Sequence, residues 1–316
     1  MAVYTQLSEV EIIKLLENYK LGFLVNFIGI KDGIENTNYL IVTNKGRFIL
    51  TIFENRVKNS NLPFFLKLMD HSKKLGVKCP EPLKDKKGNL INSLKSKKFS
   101  IFTFLDGNSK KKWDSETCFK VGKTLATFHK VNKSFKLKIK NDFSITYWKK
   151  LFLILKNKKI LKNNFLKNEL EYIKKNWPKN LPSGIIHADL FPDNVFFKKK
   201  NISGILDFYF SCHDFLIYDI AIVINAWCFT NGNFQKKKFY SLISGYESVR
   251  ILEKNEIESI NVILRGASLR FLLTRTVDQM KNNKNNLVKK KDPNEFYRIL
   301  KFHISVKDEF KYRYSK

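Results

Sequence analysis

Three polar residues in one short stretch have the types and spacing to do chemistry together. In His187-Ala188-Asp189-Leu190-Phe191-Pro192-Asp193-Asn194, an aspartate stands five residues before an asparagine, and a second aspartate, Asp207, follows thirteen residues after Asn194. Between Asn194 and Asp207 lie two short apolar runs, 195–197 and 202–206, joined by the polar turn 198–201. That is the pattern of a β-hairpin. The chain enters the hairpin at Asn194 and leaves it at Asp207, so an amide oxygen and a carboxylate are expected at the same end. Two hard oxygen donors of this kind suit Mg²⁺ carrying nucleotide phosphates. Asp189, in a loop held by Pro192, is expected to reach the same mouth. There it would accept the proton of an attacking hydroxyl and aim the oxygen at the γ-phosphate of ATP. Any one of these residues alone reads as a turn cap, whereas the set with its hairpin reads as a phosphoryl-transfer centre. His187 reads as a brace of the loop. Asp219, in Tyr218-Asp219-Ile220-Ala221, is expected to open a helix over 220–229, either as a first-turn carboxylate or as a buried anchor for the loop backbone.

The elements that must position these residues change character along the chain. Ser8 and Glu11 form a capping-box pattern for a helix running to about Tyr19. Strands are expected at 23–30, 38–43 and 47–53, the last two joined by the turn Asn44-Lys45-Gly46. Pro63 opens a helix that Gly76 ends, with Phe65, Leu66 and Met69 on its apolar positions. A hairpin is expected around Lys87-Gly88-Asn89, and 99–105 reads as a buried strand broken by Asp106-Gly107. Beyond it the pattern turns helical. Cys118, Val121, Leu125 and Phe128 share one face over 116–130, lysine-rich helical segments continue to Trp177, and from Asp219 on the chain is helical again. A small β-rich lobe with one main helix, then a larger helical lobe, gives an α+β, two-lobed, protein-kinase-like fold. The lobes are expected at 1–105, binding nucleotide, and 106–316, carrying catalysis and the acceptor. The polar segment 281–293 reads as a loop.

Composition narrows the function classes. The 316 residues can bury a large core, and 43% hydrophobic with 14% aromatic residues argue against disorder. No apolar run has a membrane helix's length, and Met1 to Lys20 lacks the apolar core of a secretory signal. Four scattered cysteines read as reduced thiols, and a cytoplasmic protein is expected. The net charge of +30 comes from 59 Lys and Arg against 29 Asp and Glu. The lysines are spread along the chain in short runs, so a basic surface that attracts anions, ATP included, is expected rather than a dedicated nucleic-acid site.

With these residues in view, the chain resembles the aminoglycoside-phosphotransferase and choline-kinase superfamily, and within it the homoserine kinases. The stretches that carry the resemblance include GIENTNYLIVT, RFILTIFENRV, GIIHADLFPDNVFF, SGILDFYFSCHD, YDIAIVINAWCF and RGASLRFLLTR, and they span nearly the whole length. The resemblance implies ATP, Mg²⁺, L-homoserine as acceptor and O-phospho-L-homoserine as product, on the route to threonine. One departure stands out. The strand that usually carries a lysine for the α- and β-phosphates has Thr51 at that place, with Lys45, Arg47 and Arg56 as the near cations. The phosphate loop is expected around Gly29, Gly33, Asn36 and Asn38, and adenine at the backbone of Thr103-Phe104-Leu105.

The helix expected over 261–280 is apolar around most of its circumference yet holds Arg265, Arg270 and Arg275. Their spacing of five sets them on different faces, so they cannot all serve one ligand. Arg270 and Arg275 are the candidates for the acceptor's carboxylate, with Tyr209 and Asp214 as further acceptor contacts. Tyr209, Phe210 and Trp227 could instead form an aromatic box for choline. A kinase of another small alcohol (choline, methylthioribose, an aminoglycoside) and a basic nucleotide- or RNA-binding protein without transferase activity stay open as alternatives.

Overall fold

Ser8 starts the first helix, α1 (Glu9–Leu16), through a capping box: its hydroxyl accepts the Glu11 N–H at 3.3 Å, and the Glu11 carboxylate accepts the Ser8 N–H at 2.8 Å. The helix stops three residues before Tyr19, because the Asn18 and Tyr19 amides turn back to the carbonyls three residues earlier, tightening the last turn. The structure is a computed structural model that describes residues 4–30, 36–54, 57–158, 160, 164–280 and 291–306. Gly33, Arg56 and most of the segment 281–293 lie outside the described residues.

The chain divides into two compact units. The first comprises Met1–Gly107 and takes in Ser203–Tyr209, so Asp207 belongs to it although the sequence places that stretch in the second lobe. Its sheet holds β1 (Leu24–Ile30), β2 (Thr37–Thr43), β3 (Gly46–Phe53), β4 (Pro82–Leu83), β5 (Asn92–Leu94) and β6 (Lys97–Thr103) in the order β1-β2-β3-β6-β4, with β5 also on β6. Strand alternation sends Tyr39, Ile41, Leu50, Ile52, Phe99 and Ile101 against Ile12, Leu15 and Leu16 of α1. The helix α2 (Leu62–Lys74) has Pro63 in its first turn.

The turn at 87–89 does not make a hairpin. Asp85 closes it by accepting the Lys87 and Asn89 N–H groups at 2.9 and 2.8 Å, and β4 and β5 on either side each pair with β6 instead of with one another. The tight hairpin comes one step later, between β5 and β6, where Lys95 and Ser96 both adopt positive φ (48° and 65°). No glycine or asparagine marks that turn in the sequence. The strand expected to reach Leu105 ends at Thr103.

The second unit begins at Asn108. It is built from α3 (Ser115–Val131), α4 (Ile145–Asn157), α5 (Phe165–Asn176), β7 (Ser183–Ile186), β10 (Cys212–Phe215), α6 (Leu216–Trp227), α7 (Lys236–Glu247), α8 (Lys254–Glu258), α9 (Ile260–Met280) and α10 (Pro293–Ser305). The hairpin of β8 (Val195–Lys198) and β9 (Asn201–Ile205) forms where the apolar runs place it, turning at Lys199 with φ 58°. β7 and β10 pair antiparallel, Ile186 opposite Cys212 and Gly184 opposite Asp214. Asp219 does not open its helix, since α6 begins three residues earlier at Leu216. Every residue of α6 is buried, so no polar face marks its start in the sequence. Gly122 and Gly245 let α3 and α7 meet backbone to backbone: a Cβ on either would lie 2.0 Å from the other helix's carbonyl oxygen, of Leu242 or Phe119. That close crossing brings His129 of α3 beside Tyr246 of α7. Among the described residues no helix is long and apolar enough to cross a membrane, and all four cysteines are buried thiols.

Candidate active site

Strand β7 carries the chain into His187-Ala188-Asp189, and the backbone there is gripped on both sides of Asp189. Ala188 sits at φ 62°, a left-handed conformation that a residue with a Cβ seldom adopts. Its N–H donates to Asp219 Oδ1 at 2.9 Å, and the His187 N–H donates to Asp219 Oδ2 at 2.6 Å. The Ala188 carbonyl accepts from Arg270 Nη1 at 3.1 Å, and on the far side the Leu190 carbonyl accepts from the Trp227 indole N–H at 2.8 Å. Asp189 itself is half-buried. Its carboxylate accepts Asn194 Nδ2 at 3.1 Å and its carbonyl accepts the same amide at 2.8 Å, within a turn closed by Asn194 N–H to the Phe191 carbonyl at 2.9 Å. Asn194 thus donates through nitrogen, and among the described residues its Oδ1 accepts no hydrogen bond. That leaves a hard oxygen donor suited to a divalent cation.

Behind Asp219 runs a chain of buried hydrogen bonds. His129 Nε2–H donates to Asp219 Oδ2 at 3.0 Å, His129 Nδ1 shares a hydrogen with the Tyr246 hydroxyl at 2.8 Å, and that hydroxyl accepts from Arg250 at 3.2 Å. Arg250 forks onto Glu256 at 3.1 and 2.7 Å. Burial alone would push the Asp219 carboxyl up. The His129 hydrogen bond and charge, with His187 beside them, hold it below the ordinary aspartate range.

In the first unit, Asp207 also adopts a left-handed backbone, φ 61°. The Tyr209 ring that follows packs edge-on to Phe53 at 5.5 Å and Phe65 at 5.8 Å, so this segment lies on the sheet face that carries Thr51, two residues before Phe53. The Thr51 hydroxyl donates to Asn38 Oδ1 at 2.7 Å. Asn36 Oδ1 accepts the Glu54 N–H at 3.4 Å. Thr103 is engaged with Glu81 through both its N–H (3.0 Å) and its hydroxyl (2.9 Å), while Leu105 packs on Gly204, where a Cβ would come within 2.8 Å of its side chain.

Of the cations near Thr51 in sequence, Arg47 is bound to Asp106 at 2.6 Å and lies over the Phe104 ring at 4.2 Å. Lys45 reaches the Lys20 carbonyl at 3.3 Å. Lys97, which the sequence did not suggest, pairs with Glu54. Glu54 also accepts from Thr5 and Thr37, both at 2.7 Å, on the face toward α1.

The three arginines of α9 separate cleanly. Arg265 is bidentate to Glu169 at 2.7 and 2.5 Å. Arg275 binds Glu295 at 2.5 Å and the Asp292 carbonyl at 3.1 Å. Among the described residues Arg270 forms no ion pair. Trp227 cannot line a cation box, because it is fully buried with its N–H committed to the loop and its ring against Trp113 at 5.1 Å. Sequence reasoning missed His129, Tyr246, Arg250 and Glu256. Their link to the loop is made by helix packing, and no local spacing reveals it.

Comparison with known proteins bears directly on this arrangement. The model of the phosphotransferase enzyme family matches residues 26–252. The chain belongs to the phosphotransferase enzyme family. Its curated relatives include a homoserine kinase of Rhizobium meliloti (strain 1021), 43% identical over 99% of this chain and 97% of the relative. A homoserine kinase of Methylobacterium radiotolerans is 41% identical over 98% of each. Among solved structures, a spectinomycin phosphotransferase in complex with ADP and spectinomycin superposes with a TM-score of 0.71 at 13% identity, covering 95% of this chain and 99% of that one. An amicoumacin kinase solved with AMP-PNP and Ca²⁺ gives 0.71 at 14% identity, covering 96% and 94%. At such identities these two structures speak for the fold, the two-lobed α+β architecture of the phosphotransferase family.

Proposed function

We propose that this phosphotransferase is a homoserine kinase, moving the γ-phosphoryl group of ATP to the hydroxyl of L-homoserine and releasing ADP and O-phospho-L-homoserine, in the cytoplasm and on the route to threonine. The observation that carries the reading is the 41–43% identity to curated homoserine kinases along almost the whole of both chains. The clamped Asp189 loop supports it.

Phosphoryl transfer asks the protein for positioning and charge neutralisation more than for covalent chemistry. Asp189 takes the proton of the homoserine hydroxyl. The oxygen then forms its bond to the γ-phosphorus, the bond from that phosphorus to the bridging oxygen breaks, and the electron pair leaves on ADP. Asn194 orients the Asp189 carboxylate through Nδ2. Its Oδ1 and the Asp207 carboxylate would hold Mg²⁺, which when bound offsets the charge of the phosphates. Asn36, Asn38 and Thr51 are proposed to face the phosphates. Thr103 and Leu105 are proposed for the adenine. Since the Thr103 N–H is engaged with Glu81, Leu105 is the better placed of the two to offer an amide.

The test is an ATP-consumption assay of the purified protein with homoserine, choline, methylthioribose and kanamycin as acceptors. Homoserine alone is expected to support turnover at micromolar enzyme. Faster turnover with any of the other three would replace the reading.

A further inference from the structure

Most buried charges of the second unit have an opposite charge at hand. Arg265 has Glu169, Arg275 has Glu295 and Arg250 has Glu256, while Asp219 accepts a hydrogen bond from His129. Two charges do not, for among the described residues neither Arg270 nor Asp214 forms an ion pair. Arg270 is only 2% exposed. Its guanidinium lies 4.9 Å from the Phe143 ring and 4.6 Å from the Phe271 ring. It makes one hydrogen bond among the described residues, to the Ala188 carbonyl. The Tyr218 hydroxyl, 1% exposed, is approached by the Arg270 guanidinium without a hydrogen bond of good geometry.

Asp214 stands on β10, half-buried, its carboxylate accepting Asn141 Nδ2 at 2.7 Å and the Phe215 N–H at 2.7 Å. The segment carrying Asn141 and Phe143 lies along β10, tied by the His213 N–H to the Ile139 carbonyl at 2.8 Å, with Phe143 against Phe210 at 5.4 Å. Burial pushes the Asp214 carboxyl up, and the Arg270 charge works against that push, so the two groups sense each other without touching.

A buried charge without a partner is costly. A ligand with both signs would relieve both groups at once, and an α-amino acid carries a carboxylate and an ammonium on one carbon. We propose that Arg270 and Asp214 are the two poles of an amino-acid reading site. Arg270, with the Tyr218 hydroxyl, takes the α-carboxylate, and Asp214, steadied by Asn141, takes the α-ammonium. Because Arg270 also holds the carbonyl of Ala188, the residue before Asp189, the head group is anchored to the same backbone that carries the proton acceptor. Arg275 is excluded from this role by Glu295. The inference rests on the reading of homoserine as acceptor and names the residues that select it.

The test compares kcat/KM for three acceptors: L-homoserine, 3-amino-1-propanol, which lacks the carboxylate, and 4-hydroxybutanoate, which lacks the ammonium. The parent is expected to prefer homoserine over each by at least about 10³-fold, since a site built to pair a group rejects the analogue without it. Arg270→Met is expected to collapse the preference over 3-amino-1-propanol to within about tenfold while sparing the preference over 4-hydroxybutanoate; Asp214→Asn is expected to do the reverse. If Arg270 only braces the loop, Arg270→Met slows all three acceptors alike and keeps the ratios, and the proposal falls. Should Arg270→Met fail to fold, Arg270→Lys retains the charge without the fork and must still narrow the same ratio. Inhibition by L-2-aminobutyrate, the same skeleton without the hydroxyl, is read in parallel; inhibition undiminished in both Arg270→Lys and Asp214→Asn overturns the proposal. A parent with no turnover on homoserine removes the acceptor reading itself, an outcome distinct from turnover with unchanged ratios in the variants.

Discussion

Asp219 holds Ala188 by its backbone N–H at 2.9 Å, in a conformation that alanine rarely takes. The same carboxylate holds the His187 N–H at 2.6 Å. A residue kept in the left-handed region costs on the order of 1–3 kcal/mol, and two charge-assisted hydrogen bonds in a dry interior are of the size to offset it. The strain has a use. It turns the chain sharply between the end of strand β7 and Asp189, so the carboxylate emerges at a fixed angle, while Arg270 and Trp227 fix the carbonyls on either side.

Asp219→Asn tests that clamp. The substitution keeps the shape but replaces one acceptor oxygen with a donor facing a backbone N–H. We expect kcat to fall by at least about 10²-fold, the usual consequence of misplacing a reacting group by about an ångström. The acid side of the stability profile should change too. The parent carboxyl titrates below its ordinary range, so the stability it contributes is present above the unfolded aspartate pKa of about 3.9 and is lost as the pH falls through the lower folded value. The variant lacks that contribution from neutral pH down. Parent-like kcat together with a parent-like acid limb would show that the clamp is dispensable.

Asp189→Asn addresses the chemistry. The amide fills the same space and can still meet Asn194, but it cannot take a proton. We expect kcat to drop by about 10²–10⁴-fold from loss of the general base, with a further loss from positioning. ATP affinity, measured by calorimetry, should stay within about threefold of the parent's. Turnover within a few fold of the parent would remove Asp189 from the proton-accepting role.

What could be read from the sequence follows how local each feature is. The capping box at Ser8, the first three strands and the hairpin between Asn194 and Asp207 depend on residues close in sequence, and they formed where the pattern put them. The turn at Lys95-Ser96 carried no glycine to announce it. The start of α6 was hidden because a helix buried all round has no polar face to give it a period. The partners of the α9 arginines were not legible at all. Glu169 lies on α5 and Glu295 on α10, and only packing decides that Arg265 and Arg275 are neutralised while Arg270 is not. The hydrogen-bond chain from Asp219 to Glu256 is hidden for the same reason, since it crosses helices that meet at Gly122 and Gly245.

Thr51→Ala bears on the missing strand lysine. The Thr51 hydroxyl is committed to Asn38, so it orients a neighbour and carries no charge to the phosphates. Deleting it removes one largely buried hydrogen bond, typically a matter of about 1 kcal/mol, and we expect kcat/KM for ATP to fall by less than about tenfold. A loss beyond about 10³-fold, roughly 4 kcal/mol, would mean that the hydroxyl does work the rest of the strand cannot replace.

His303 supplies a pH signature that is independent of catalysis. Its ring is fully buried on α10, with Nε2–H donating to Asn225 Oδ1 at 2.8 Å, and Asn225 in turn holds the Leu264 carbonyl and the Ser268 hydroxyl of α9. Burial disfavours the charged ring, and the nearby Arg265 charge adds to this, so the pKa is pushed down to about 3. In the unfolded chain a histidine titrates near 6.5. Between those values the unfolded state binds a proton that the folded state refuses, so stability falls as the pH drops below about 6.5 and continues to fall toward 3. From pH 7 to pH 5 the difference amounts to about 2 kcal/mol. His213 is shifted the same way by burial and Lys138, so the informative quantity is the difference between parent and variant. His303→Gln keeps an N–H for Asn225 and cannot be protonated in this range. Urea unfolding midpoints at pH 7, 6 and 5 should therefore converge for the two proteins as the pH falls, the parent losing stability faster. Parallel profiles across that range would show that the buried ring is not the group that takes up the proton on unfolding.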